Sequence, residues 1–195
     1  MQDLKNYFIT IDREYKEGDV AVLRQKFSGE NVVSAVLYST ALGVYEAELN
    51  GKKAGEQMFA PGYTYYPRRV LYQEHDVTEF LNTGGEGSKE NELVFYLGQG
   101  WYCGRFLCEN QTQIYGEKPA VSWILQLKFA DGSEKEVHSG IDVDELESPY
   151  EYAGEYDGEI YFADGRNNVI GNPVAYTGTT DFALEKTLTE VRDAS

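Results

Sequence analysis

Hydrophobic and polar positions alternate along much of this chain. That is the repeat of a strand, whose successive side chains face opposite ways. The clearest case is residues 121–129: Val121, Trp123, Leu125, Leu127 and Phe129 share one face, and Ser122, Gln126 and Lys128 the other. Residues 44–49 alternate too, with Val44, Glu46 and Glu48 opposed to Tyr45, Ala47 and Leu49. Residues 21–27, 70–75, 92–97 and 134–138 predict further strands, and the run V-V-S-A-V-L-Y-S-T at 32–40 is apolar enough for a buried one. Asn50-Gly51 is a strong hairpin signal, because both residues tolerate positive φ. Asp131-Gly132 predicts the turn into 134–138, and Ala60-Pro61-Gly62 another turn ahead of Tyr63, Tyr65 and Tyr66. Residues 76–81, D-V-T-E-F-L, predict one short helical turn with Asp76 able to cap it.

Elsewhere the pattern is weaker. Residues 1–19 are polar and mixed, and 82–91 predict an exposed loop rich in glycine and charge. An aromatic segment at 150–162 contains Y-D-G-E-I-Y. Beyond residue 164 glycine and asparagine are frequent, and Phe182, Leu184, Leu188 and Val191 fit either a short helix or an edge strand. Many short strands cut by Gly, Pro, Asn and Asp, with almost no helix, predict an all-β fold. The expected form is a β-sandwich or barrel, in which facing sheets bury the apolar side of each strand.

Composition narrows the partners. A net charge of −16 argues against nucleic acid, whose phosphates require clustered Lys and Arg, and against an anionic membrane surface. Neutral carbohydrate stays open. No apolar run approaches the ~20 residues that span a bilayer as a helix. The opening M-Q-D-L-K-N-Y does not read as a signal peptide, so the cytoplasm is slightly favoured and the location otherwise open. Cys103 and Cys108 flank R-F-L, a loop that a disulfide closes only with suitable geometry, so free thiols are expected. Two cysteines and two distant histidines, His75 and His138, give no zinc spacing.

The stretch L-G-Q-G-W-Y-C-G-R at 97–105 carries the most chemistry. Its glycines free the backbone to turn, and Trp101, Tyr102 and Arg105 suit either a sugar-stacking platform or plain packing at the sandwich end. Tyr63, Tyr65 and Tyr66 suit a docking surface for a domain or glycan, or packing over a sheet edge. Asp157 and Glu159, two apart on a strand, would share a face. Paired carboxyl groups invite a glycosidase reading, but polar sugar contact or structural hydrogen bonding are simpler roles. Asp142, Asp144, Glu145 and Glu147 are either a solvated acidic loop or, more weakly, hard oxygen ligands for calcium at Asp142 and Asp144.

Three of these stretches, taken in order, carry a resemblance: A-L-G-V-Y-E-A-E-L-N-G-K-K-A-G at 41–55, F-A-P-G-Y-T-Y-Y-P-R-R-V-L-Y-Q-E-H-D-V-T at 59–78, and residues 98–105. Together they resemble the amino-terminal β-sandwich domain of bacterial α-L-rhamnosidases. Tyr115-Gly116 with Pro119-Ala120, Ala130-Asp131-Gly132-Ser133, and residues 156–161 extend the match over roughly residues 22–163.

The resemblance implies a jelly-roll-like β-sandwich of two antiparallel sheets ahead of an (α/α)6 catalytic barrel. It divides the chain into a leading segment at 1–20, the sandwich at 21–165, and a linker or tail at 166–195 toward a missing domain. It also implies a parent that hydrolyses terminal L-rhamnose with inversion, using carboxylic acids on the barrel. No catalytic residue is therefore assigned here. The expected partner is the barrel of the same parent chain, with a rhamnose-containing glycan as a second partner. The leading expectation is an accessory domain that packs on the barrel and helps shape substrate access. The alternative is a rhamnose-binding module, with calcium at the sugar as in related modules. Tyr63, Tyr65, Trp101, Tyr102, Arg105, Asp157 and Glu159 are its candidate contacts. The family pattern has Trp for Tyr63, Asp for Tyr65, Arg for Cys103, and Asp-Ala-Arg where this chain has Phe162, Ala163 and Asp164.

Overall fold

A computed structural model describes residues 2–83, 90–106 and 111–187. Cys108, Leu188, Val191 and the centre of the 82–91 loop lie outside the described residues. In chain order the strands are β1 (Ile9–Thr10), β2 (Val20–Ser28), β3 (Val32–Leu42), β4 (Val44–Leu49), β5 (Lys52–Lys53), β6 (Arg69–Asp76), β7 (Glu90–Gly98), β8 (Ala120–Phe129), β9 (Glu134–His138), β10 (Asp144–Leu146), β11 (Tyr150–Gly154), β12 (Gly158–Tyr161), β13 (Val169–Gly171), β14 (Val174–Ala175) and β15 (Ala183–Lys186). They are joined by 3-10 turns at Gln2–Tyr7 and Thr78–Phe80 and one helical turn, α1 (Gly100–Cys103).

The chain is an all-β sandwich. One sheet runs β14-β1-β8-β3-β6-β15 with β9 paired to β8, and the other runs β13-β10-β2-β7-β4-β5. The pairs are antiparallel except β15, which lies parallel to β6 from Ala183 opposite Arg69 to Lys186 opposite Tyr72. At Leu184 the structure thus shows the strand, Ala183–Lys186, of the two readings of the end segment.

The alternation seen in the sequence becomes the core. Val121, Trp123, Leu125 and Leu127 of β8 meet Leu93, Phe95 and Leu97 of β7 and Tyr45, Ala47 and Leu49 of β4 between the sheets. Trp123 is fully buried and stacks on Phe95, ring centroids 4.4 Å apart. The opposite face of β8 is also covered. Ser122 and Ile124 are buried there, and Ser122 Oγ donates to Leu4 O (2.6 Å) of the 3-10 turn lying over the sheet.

Turns follow the residues that permit them. Asn50 and Gly51 take φ of 54° and 73°, closing β4 onto β5. The expected short helical turn is present but confined to Thr78–Phe80, with Val77 and not Asp76 at its N-cap; Asp76 Oδ1 accepts the Thr78 N–H at 3.0 Å. Strands β11 and β12 pair only with each other and lie near the outer face of the second sheet, where Tyr150 meets Tyr96 edge-on at 6.2 Å. Under them Val22, Val94 and Leu146 form a small buried cluster.

Candidate functional site

At one end of the sandwich the 57–68 and 99–106 segments meet. Gly100 makes the meeting possible. Its φ is +51°, and a Cβ there would lie 2.7 Å from Val44 Cγ1 and 2.9 Å from both Val44 N and Gly43 C. The helical turn that follows sends Trp101 outward and Tyr102 inward, since neighbouring helical side chains are about 100° apart. Trp101 is half-buried. Tyr102 is buried, packs edge-on against Tyr66 at 5.1 Å, and shares a 2.7 Å hydrogen bond with the Tyr176 hydroxyl. Burial pushes the Tyr102 phenol and the Cys103 thiol well up, so both stay protonated near neutral pH. Cys103 is buried and free.

Outside this inner layer lies an exposed aromatic one. Trp101 contacts Phe59 (5.9 Å between ring centroids) and Tyr63 (6.0 Å), and Tyr63 contacts Phe106 (5.6 Å). The Tyr63 and Tyr115 hydroxyls are 3.0 Å apart, and Tyr65 packs edge-on against Tyr115 at 6.3 Å. A buried relay anchors the segment from below. Gln73 Nε2 shares its two N–H donors among Gln57 Oε1 (3.1 Å), Pro61 O (3.2 Å) and Thr187 Oγ1 (3.1 Å), while the Tyr45 hydroxyl donates to Gln73 Oε1.

Beside this layer, between β4, β7 and the β11–β12 hairpin, is a cleft of about 470 Å³. Its walls include Glu46, Phe59, Tyr96, Tyr150, Glu155 and Glu159. Burial raises the Glu155 carboxyl. Glu46 is paired with Lys53.

The structure brings Tyr63, Tyr65 and Trp101 onto one face and sets Tyr102 behind it. Arg105 turns away: its Nη2 donates to Asp157 Oδ2 at 2.5 Å, and the Tyr152 hydroxyl donates to the same oxygen at 3.0 Å. The Arg105 guanidinium, then Tyr152, hold the Asp157 carboxyl below its ordinary range. Asp157 occupies the hairpin turn and Glu159 lies on β12, so the two carboxylates do not share a strand face as the spacing suggested. One joins an ion pair and the other lines the cleft. Asp144 is bound to Arg24 at 2.8 Å, and among the described residues no group of three His, Cys, Asp or Glu could hold a metal ion. Sequence reasoning missed Phe59, Phe106 and Tyr115 at this end. The only local signal was the aromatic residue just ahead of the Ala60-Pro61 turn.

Two packed sheets with an aromatic end define a β-sandwich domain. Its topology and its loop residues point to one family. The chain belongs to the alpha-L-rhamnosidase N-terminal domain family, whose model matches residues 30–176. It is similar to an alpha-L-rhamnosidase of Streptomyces avermitilis, 39% identical over 142 residues that make up 73% of this chain and 13% of that protein. It is also similar to one of Formosa agariphila, 32% identical over 168 residues, 77% of this chain and 17% of that protein. The native α-L-rhamnosidase structure of Aspergillus terreus superposes with a TM-score of 0.78 at 28% identity, covering 91% of this chain and 22% of that one. The Streptomyces avermitilis enzyme complexed with L-rhamnose gives 0.70 at 33% identity, covering 81% and 16%. The chain thus spans only a small part of the rhamnosidases it matches.

Proposed function

We propose that this chain is an accessory domain of an α-L-rhamnosidase, with no catalytic groups of its own. On this reading it packs on the catalytic barrel of the parent and helps shape the approach of substrate. The observation that carries the proposal is the share: the aligned part is 13% and 17% of the two rhamnosidases above, leaving most of each protein to hold the chemistry. The placement of the carboxylates supports it. Glycoside hydrolysis needs a protonated acid and a second carboxyl group flanking the bond, about 5–9.5 Å apart. Asp157 is instead held ionised by Arg105.

The test uses the full-length rhamnosidase carrying this sequence, with Asp157→Asn and Glu159→Gln made singly. Each should keep kcat on an aryl α-L-rhamnoside within about threefold of the parent value. A fall of about 10²–10⁴-fold, the size expected for removing a general acid or base, would place catalysis in this chain.

A further inference from the structure

We propose that the aromatic face formed by Met58, Phe59, Tyr63, Tyr65 and Trp101 is the docking surface for the polypeptide that follows Thr187 in the parent enzyme. This rests on the accessory-domain reading and adds to it which face is covered, and by what.

The face is apolar and open. Met58 is 73% exposed, Tyr65 59%, and Phe59 and Tyr63 47% each. Trp101 joins Phe59 to Tyr63, and Tyr115 links Tyr63 to Tyr65, so the rings form one chain of contacts. The rings and Met58 offer on the order of 500 Å² of apolar area, close to one side of an inter-domain interface. Charge is sparse in the two segments that carry the face, although exposed Arg68 follows Tyr65 and Tyr66, and Glu46, Lys53, Glu155 and Glu159 line the cleft that Met58 and Phe59 share. No Asp, Glu, Lys or Arg occurs in residues 57–66 or 93–104, although 26% of the chain is charged. Depletion of charge at the centre of a patch is the compositional mark of a protein interface.

Backbone geometry points the same way. Phe59 sits at φ +55°, a left-handed conformation uncommon for a bulky residue. It costs about 1 kcal/mol or more. Ala60, next to it, is buried and its carbonyl accepts the Tyr45 N–H at 2.8 Å. The strained residue therefore directs its ring outward while its neighbour is pinned to the sheet.

The occupant follows from where β15 delivers the chain. The Thr187 N–H donates to Tyr72 O at 2.9 Å, and Thr187 Oγ1 accepts from Gln73 Nε2 at 3.1 Å. The same nitrogen reaches Pro61 O and Gln57 Oε1, which bracket Met58 and Phe59. Thr187, the last described residue, is thus tied to the segment that carries Met58 and Phe59. A segment tethered there meets the face at the high effective concentration of an intramolecular partner.

The test is hydroxyl-radical labelling, read by mass spectrometry, on this chain alone and on the full-length parent. Met58, Tyr63 and Tyr65 should label at least about fivefold more slowly in the parent, as burial in an interface core requires. Val33 and Ile141, 52% and 71% exposed, serve as references and should label equally in both. Equal labelling of Met58, Tyr63 and Tyr65 in the two proteins overturns the docking face and leaves the accessory-domain reading standing. That reading fails separately, through the Asp157 and Glu159 variants. Protection of these residues in the isolated chain that grows with its own concentration assigns the face to a second copy, and also overturns the proposal. So does protection of the isolated chain by millimolar L-rhamnose, which assigns the face to sugar.

Discussion

Trp123→Ala is expected to destabilise the chain by about 3–5 kcal/mol, the range for emptying a large aromatic from a packed core. Trp123 has no exposed surface and lies flat on Phe95, at an interplanar angle of 9°. It is the place where the two sheets press on each other. The indole Nε1 also donates to Gln25 Oε1 at 2.7 Å, inside the sandwich. Losing that donor leaves a buried acceptor short of a partner, while Gln25 Nε2 keeps its 3.1 Å bond to His138 O. Against a total stability of about 5–15 kcal/mol, the loss is a large fraction of the whole. A urea titration followed by circular dichroism measures it. Trp123→Phe keeps a ring on Phe95 and should cost clearly less. A loss below about 1 kcal/mol for the alanine variant would mean the sheets are not packed through this residue.

Gly100→Ala should cost about 2–4 kcal/mol, combining strain at positive φ with overpacking. The atoms in the way are Val44 Cγ1, Val44 N and Gly43 C, two of them backbone, so the β3–β4 turn has to move. Trp101 follows Gly100 directly and should shift with it, which its fluorescence reports. Gly132→Ala is the control. It has φ +85° with nothing within 4 Å of the added methyl, so only the backbone strain, about 1 kcal/mol, should appear. Equal losses at the two sites would mean that the turn accommodates the methyl.

The long strands were legible because period-two alternation is a local property that burial converts directly into position. The face predicted from Val121, Trp123, Leu125 and Leu127 lies in the core. Asn50-Gly51 marked its hairpin for the same kind of reason, since positive φ is local chemistry. The pairing partners of the shortest strands were not legible. Leu146 pairs with Val22 on one side and Val169 on the other, and β15 finds β6 across most of the chain. Two to four residues cannot display a period, and their partners are set by the rest of the fold.

The polar opening hid a structural element. Leu4 and Phe8 are too sparse to form a stripe, yet both are buried over the outer face of the first sheet. At the candidate site, the residue types were readable and their directions were not. Trp101 and Tyr102 are adjacent, and only the helical turn after Gly100 separates an outward ring from an inward one. Asp157 and Glu159 appeared as a pair on one strand, but the hairpin turn carries Asp157 to Arg105 and Tyr152. Phe59 showed only as an aromatic residue ahead of the Ala60-Pro61 turn. Its exposure comes from a left-handed backbone that no periodicity encodes.

The most direct measurement is the rate at which this chain by itself hydrolyses an aryl α-L-rhamnoside, beside the full-length parent at equal molarity. The parent should turn the substrate over, and the isolated chain should give only the uncatalysed rate. Repeated turnover by the isolated chain, abolished by Glu159→Gln, would contradict the accessory-domain reading.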